Sequence, residues 1–164
     1  METTSTHKLA DDRIETVSRE IAQRFASRPG ALLMVLQAIQ EHFGYIPAAS
    51  VPVVGQWLQR SRAEIQGVIS FYPHLRQHPA GRHVVQVCRA EACQAMQGEA
   101  LARHASQRLG MTFETTRTDG MVSLESVYCL GLCAQAPALM LDGQPHARMS
   151  PVRLDTLLDD LDMP

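Results

Sequence analysis

The chain has 164 residues, enough for one ordinary domain or two small ones, and 45% of them are hydrophobic. Its formal net charge of -2 gives no global attraction to nucleic acid or to an anionic membrane. No apolar run is long enough to cross a bilayer, and the N-terminal "METTSTHKLADDRIE" lacks the apolar core of a secretory signal. We therefore expect a cytoplasmic protein that does not bind nucleic acid and does not insert into a membrane.

Helical periodicity dominates the first half of the sequence. Residues 1–10 are polar, and we expect them to be disordered. Apolar residues then recur at helical spacing in four segments, which begin near Asp11, Leu32, Pro52 and Ser61. Ser61 and Glu64 have the spacing of a capping box, which marks the start of the fourth helix. This pattern predicts a helical bundle over residues 11–76.

The period changes after Gln77, where short runs of β-branched residues alternate with helical segments. The predicted strands are Arg82–Cys88, Thr112–Thr118, Val122–Cys129 and Pro137–Gly143. One helix is predicted between the first two strands and ends at Gly110, and a last helix is predicted from the N-cap Ser150. The sequence therefore predicts an α+β protein, in which a helical bundle precedes a sheet-containing domain over residues 77–164.

The chain has four cysteines, and they fall in two close pairs. Cys88 and Cys93 are separated as C-x4-C, and Cys129 and Cys133 as C-x3-C. The first member of each pair ends a predicted strand, and the second is predicted to lie in the turn that follows. Because strand ends can meet at one edge of a sheet, we expect the four thiols to converge near the surface.

Three interpretations of such a convergence are open from the residues alone. Four thiolates can ligate an iron–sulfur cluster. They can also hold a structural zinc ion, although the tighter C-x-x-C spacing is more usual there, and the wider spacing here suits a larger centre. Finally, the cysteines can simply pack as small apolar side chains or form two disulfides, which a reducing compartment disfavours.

Two longer stretches resemble a known family. "GVISFYPHLRQHPAGRHVVQVCRAEACQ" and "SVYCLGLCAQAPALMLDG" are similar to the [2Fe-2S] subunit that accompanies the NADH-oxidising flavoprotein of respiratory complex I, the 24-kDa subunit. The same family occurs in NAD-reducing hydrogenases and NAD-dependent formate dehydrogenases. Within it, "CRAEACQAMQGEAL" most resembles the gamma subunit of molybdenum-containing formate dehydrogenases.

The resemblance implies a fold, a cofactor and a role. The fold is an N-terminal helical bundle followed by a thioredoxin-like [2Fe-2S] ferredoxin domain, and the implied cluster ligands are Cys88, Cys93, Cys129 and Cys133. The implied role is one-electron transfer as a subunit that docks on an FMN- and NAD-binding flavoprotein, within an NAD-dependent formate dehydrogenase that also contains a molybdenum catalytic subunit. Alternatives are the equivalent subunit of complex I or of an NAD-reducing hydrogenase, and a zinc-stabilised adaptor of another class.

No catalytic acid, base or nucleophile is expected in this chain, because an electron-transfer subunit forms no bonds to a substrate. His74, His78 and His83 lie close in sequence but lack a metal-binding spacing, so they are interpreted as surface or interface residues. Trp57, Phe71 and Tyr72 are expected to pack in the bundle core and between domains.

Overall fold

A computed structural model describes residues 3–161, with side chains from Asp11 to Leu161. Two compact units divide between Pro79 and Ala80. The first unit is helical, and the second contains a five-stranded sheet. The predicted α+β class is therefore confirmed.

Four helices form the first unit: α1 (Thr3–Phe25), α2 (Ala31–Phe43), α3 (Ser50–Leu58) and α4 (Arg62–Phe71). Helix α1 begins before the predicted start at Asp11. The disorder predicted for residues 1–10 covers the part of α1 before Asp11, and it also covers residues 1 and 2, which lie outside the described residues. The apolar stripes of the helices meet in one core, whose fully buried members include Val35, Leu36, Ile39, Val54 and Ile65.

The helix ends follow the sequence signals. Gly44 ends α2 with a φ of 80°, a conformation that costs glycine little, and its N–H donates to the carbonyl of Gln40. At the start of α4, the hydroxyl of Ser61 accepts from the N–H of Glu64, and the Glu64 carboxylate accepts from the N–H of Ser61. The predicted capping box is confirmed.

The second unit has the order β1 (His83–Cys88), α5 (Glu91–Ala95), α6 (Gly98–Leu109), β2 (Thr115–Thr116), β3 (Val122–Val127), a 3-10 turn (Cys133–Gln135), β4 (Leu139–Leu141), β5 (Gln144–His146) and α7 (Pro151–Asp159). The strands are arranged as β2-β3-β1-β4-β5. Strands β1 and β3 are parallel, whereas the other pairs are antiparallel. Helix α7 begins as predicted, with Ser150 capping it and Pro151 at its first position.

The sheet differs from the prediction at its edges. The strand predicted over Thr112–Thr118 shrinks to Thr115–Thr116, and the segment predicted as Pro137–Gly143 is the shorter β4 followed by the unpredicted β5. The two parallel strands contribute to the core, because Val85 and Val87 of β1 and Leu124 of β3 are fully buried in one cluster with residues of α6 and α7.

Candidate metal centre

The two cysteine pairs lie where the two parallel strands end. In the register of β1 and β3, Cys88 pairs with Val127, so both strands finish at the same edge of the sheet. The pairing extends one step further, since the N–H of Arg89 donates to the carbonyl of Val127 at 2.8 Å. Cys129 was predicted to end the third strand but lies just beyond it, because β3 finishes at Val127.

Cys93 is in a short helix and not in the predicted turn. It belongs to α5, Glu91–Ala95, where it is 3% exposed. Gly98 packs against it so closely that a β-carbon there would lie 2.5 Å from the carbonyl oxygen of Cys93. Gly98 is a site residue that the sequence analysis missed, because only the backbone approach gives it a role.

The second pair is held in a loop. The Sγ atoms of Cys129 and Cys133 are 3.6 Å apart, and the N–H of Gly131 donates to the Sγ of Cys129 at 3.4 Å. Cys129 has a φ of 90°, a conformation that residues with a β-carbon rarely adopt and that is concentrated at functional sites. For metal–sulfur bonds of about 2.3 Å, tetrahedral geometry places two thiolates roughly 3.8 Å apart. The pair therefore fits one tetrahedral metal.

All four cysteines are free thiols, so the disulfide interpretation is not supported. The two pairs differ sharply in exposure. Cys88 and Cys93 are buried, and they pack with Val127 and Ala138 in a small apolar cluster, whereas Cys129 and Cys133 are exposed. One side of the centre thus faces the protein interior and the other faces solvent.

The surroundings of Cys88 lower the pKa of its thiol. Burial alone would raise the pKa of the Cys88 thiol, but the N–H of Ala90, the Cys93 thiol and the N–H groups of Cys129 and Leu130 together lower it below its ordinary value. Donors from both cysteine loops thus stabilise a thiolate at one point. Such N–H groups also tune the potential of a cluster bound through these sulfurs.

The neighbouring thiols respond in the opposite direction. Burial, followed by the hydrogen bond to Cys88, raises the pKa of Cys93 to about 11. The hydrogen bond to Cys129 and the charge of that thiolate raise the pKa of Cys133, and Cys88 adds to the effect. Four thiolates at this edge repel one another, so full ionisation requires a positive partner. An iron–sulfur centre supplies that charge, and the donor set fits it.

Among the described side chains, from Asp11 to Leu161, no three of Cys, His, Asp or Glu form a group able to hold a single metal ion. The thiols are instead arranged as one buried and one exposed pair. Two pairs of ligands suit a centre with two metal ions, each bound by one pair.

The charged residues of the first cysteine loop have different surroundings. Arg89 forms an ion pair with Glu99 at 3.2 Å, and its guanidinium lies 5.2 Å from the ring centre of Phe113. Glu91 is exposed at the start of α5. Arg89 therefore links the first cysteine loop to α6 and to the segment before β2.

The second cysteine loop and its flanks, from Ser126 to Leu141, contain no Asp, Glu, Lys or Arg.

The histidines lie elsewhere. His74 and His78 are exposed, as predicted. The His83 side chain is 15% exposed, and its Nδ1 lies 2.7 Å from an Asp142 carboxylate oxygen, so this residue is only partly at the surface. His83 begins β1, at the opposite end of that strand from Cys88.

Two parallel strands thus deliver paired thiols to one edge of the sheet, and this donor set fits an iron–sulfur centre. Residues 18–162 match the family described as thioredoxin-like [2Fe-2S] ferredoxin. The chain belongs to this family, and its cofactor is a [2Fe-2S] cluster.

The chain is similar to several curated proteins. One is a subunit of the NADH-quinone oxidoreductase of Pseudomonas aeruginosa, which is 32% identical over 129 residues, or 79% of this chain and 78% of that protein. The subunit of the same name from Mycobacterium bovis is 31% identical over 149 residues, which are 91% of this chain but 59% of that protein.

Among solved structures, an NAD+-reducing [NiFe]-hydrogenase in the air-oxidised state matches with a TM-score of 0.64 at 24% identity. That match covers 84% of this chain and 23% of the hydrogenase chain, and it shows the shared fold. No helix within the described residues is long and apolar enough to cross a membrane.

Proposed function

We propose that Cys88, Cys93, Cys129 and Cys133 ligate the [2Fe-2S] cluster, with the buried pair on one iron and the exposed pair on the other. The observation that carries this proposal is the delivery of two thiol pairs to one sheet edge in a chain of this family. The 3.6 Å spacing of the exposed sulfurs and the N–H groups around Cys88 support it.

Single cysteine-to-serine variants test the ligand set. Each of the four should lose or alter the cluster, measured as iron and acid-labile sulfide per chain after anaerobic purification. His78→Ala, which changes an exposed histidine outside the site, is the control and should retain both. A cysteine variant with an unchanged iron and sulfide content and spectrum would remove that residue from the ligand set.

We propose further that the chain is a one-electron carrier that docks on an FMN- and NAD-binding flavoprotein. A [2Fe-2S] cluster passes single electrons, whereas a flavin accepts a hydride as a two-electron unit, so the pair links the two kinds of chemistry. The residues of this chain hold the cluster, bury one side of it and leave the other open to a partner. No group in the chain is required to act on a substrate.

The parent complex is best proposed as one of the NADH-quinone oxidoreductase or NAD+-reducing hydrogenase type. The relatives named above carry those names, and they favour this assignment over formate dehydrogenase. A formate dehydrogenase complex with a molybdenum subunit remains the second hypothesis, because "CRAEACQAMQGEAL" in the first cysteine loop resembles its gamma subunit.

We propose that the bundle of residues 11–76 docks on the flavoprotein and that the domain of residues 77–164 transfers the electron. The proposed compartment is the cytoplasm. Trp57, Phe71 and Tyr72 were expected to pack in the bundle core and between domains. They are 38%, 76% and 37% exposed and line a groove of about 940 Å³ on the first unit. Exposed aromatic clusters of this kind are typical of protein interfaces.

Reconstitution with an FMN- and NAD-binding flavoprotein from the genome that encodes this chain tests the function. NADH should reduce the cluster of this chain only when the flavoprotein is present. The reduction is measured by electron paramagnetic resonance. A coding region for a molybdenum subunit next to that of this chain, together with reduction of the cluster by formate, would select the second hypothesis. No reduction by either donor in an assembled complex would contradict the electron-transfer proposal.

A further inference from the structure

The exposed cysteine pair is placed for a second chemistry before any cluster is bound. Cys129 and Cys133 are exposed and their sulfurs are 3.6 Å apart. A disulfide requires about 2.05 Å, so the two sulfurs must approach by only a short distance. Cys129 lies in the loop after β3 and Cys133 is the first residue of the 3-10 turn, with Gly131 between them at a φ of 77°, so neither cysteine is held in a strand.

The buried pair is protected from the same chemistry. Cys88 is 2% exposed and Cys93 3% exposed, and both pack against Val127 and Ala138. Thiol–disulfide exchange requires the attacking sulfur to reach the disulfide of the oxidant in line, so burial blocks it. Cys88 is also anchored as the last residue of β1, where its N–H donates to the carbonyl of Ala138.

We propose that Cys129 and Cys133 form an intramolecular disulfide in the cluster-free chain when a low-molecular-weight disulfide is present, while Cys88 and Cys93 stay reduced. The pair is then a redox-controlled gate on cluster assembly, because two of the four ligands are withdrawn until they are reduced. This inference rests on the proposed ligand role of the four cysteines.

The exchange balances in two steps with oxidised glutathione as the oxidant. The thiolate of one cysteine attacks a glutathione sulfur, forms a mixed disulfide and releases one glutathione thiolate. The second cysteine loses its proton to solvent, and its thiolate attacks the protein sulfur of the mixed disulfide and releases the second glutathione. The two protein thiols lose two electrons together, and oxidised glutathione is reduced to two thiols.

The test uses the full chain after iron removal with a chelator under reducing, anaerobic conditions. Oxidised glutathione is added, free thiols are alkylated under native conditions and then in denaturant with a second reagent, and the peptides are mapped by mass spectrometry. We expect a Cys129–Cys133 linkage, with Cys88 and Cys93 alkylated only in denaturant. Iron and sulfide uptake should be lost after oxidation and restored by dithiothreitol.

Two variants sharpen the result. Cys133→Ser should accumulate glutathione on Cys129, because the second attack is removed. Cys93→Ser keeps the exposed pair and should still form the disulfide. A Cys88–Cys93 linkage, cross-linkage between the pairs, or persistence of both exposed thiols at excess oxidant would overturn the proposal.

The linkage map is independent of the cluster. If the disulfide forms but the reduced chain binds no iron, the proposed function fails and the disulfide assignment stands. If the chain binds a cluster but the expected disulfide is absent, only the gate is overturned.

Discussion

Among single residues, Ser18 is the clearest case of a buried polar group without a hydrogen bond. It is fully buried in α1, and its hydroxyl lacks a hydrogen-bond partner within the described part of the chain. Burying a hydroxyl without a partner costs about 1–3 kcal/mol. Ser18→Ala should therefore raise the free energy of unfolding by about 1 kcal/mol, measured by urea denaturation. Ser70→Ala, at an exposed position of α4, is the matched control, and an equal gain there would contradict the assignment of the effect to burial.

The carboxylate of Glu64 gives a contribution to folding stability that depends on pH. The backbone N–H of Ser61, its hydroxyl and the guanidinium of Arg60 lower the pKa of Glu64. A lowered pKa means that the ionised form stabilises the folded state at neutral pH and that this stabilisation is lost as pH falls through the folded-state pKa. Glu64→Gln should be less stable than the natural chain at neutral pH, and the difference should vanish in acid.

Unfolding curves at several pH values check this dependence, with Glu41→Gln, at an exposed position of α2, as the control. A constant difference between the Glu64→Gln and natural chains across the acid range would show that the carboxylate charge does not act at the helix start.

At the scale of elements, the contact between α5 and α6 controls the position of Cys93. A β-carbon at Gly98 would meet the carbonyl group of Cys93 at 2.5 and 2.7 Å, so Gly98→Ala must displace α5. We expect a lower iron and sulfide content and a less stable second unit. Gly67 in α4 has no heavy atom within 4 Å of such a β-carbon, so Gly67→Ala should instead stabilise its helix by about 1 kcal/mol.

Equal metal content in the Gly98→Ala and Gly67→Ala variants would contradict the role given to the α5–α6 contact.

The elements that carry long periodic patterns or caps were predictable. Helices α2 and α4, the start of α7 and the central strands follow from apolar spacing, Gly44, the Ser61–Glu64 box and Ser150. Helix α5, Glu91–Ala95, was missed because five residues are too few to show a period. Strand β5, Gln144–His146, is largely exposed and lacks β-branched residues, so only its pairing with β4 defines it.

At the scale of the whole molecule, the sequence predicted that the four cysteines converge but not how they differ. The burial of one pair and the exposure of the other depend on tertiary packing, which sequence spacing does not encode. Cys88 and Cys93 pack against Val127 and Ala138, whereas Cys129 and Cys133 are exposed. The exposed Phe71 was missed for the same reason, since an aromatic residue in an apolar stripe usually indicates core.

The cluster and its four ligands are the basis of the proposed electron transfer. The most direct test is electron paramagnetic resonance of the anaerobically purified chain, as isolated and after dithionite, with iron and acid-labile sulfide assayed alongside. We predict two irons and two sulfides per chain and a spin-half signal only in the reduced sample. A colourless chain that holds one zinc ion and gives no signal in either state would contradict the cluster and return the zinc-stabilised adaptor as the better explanation.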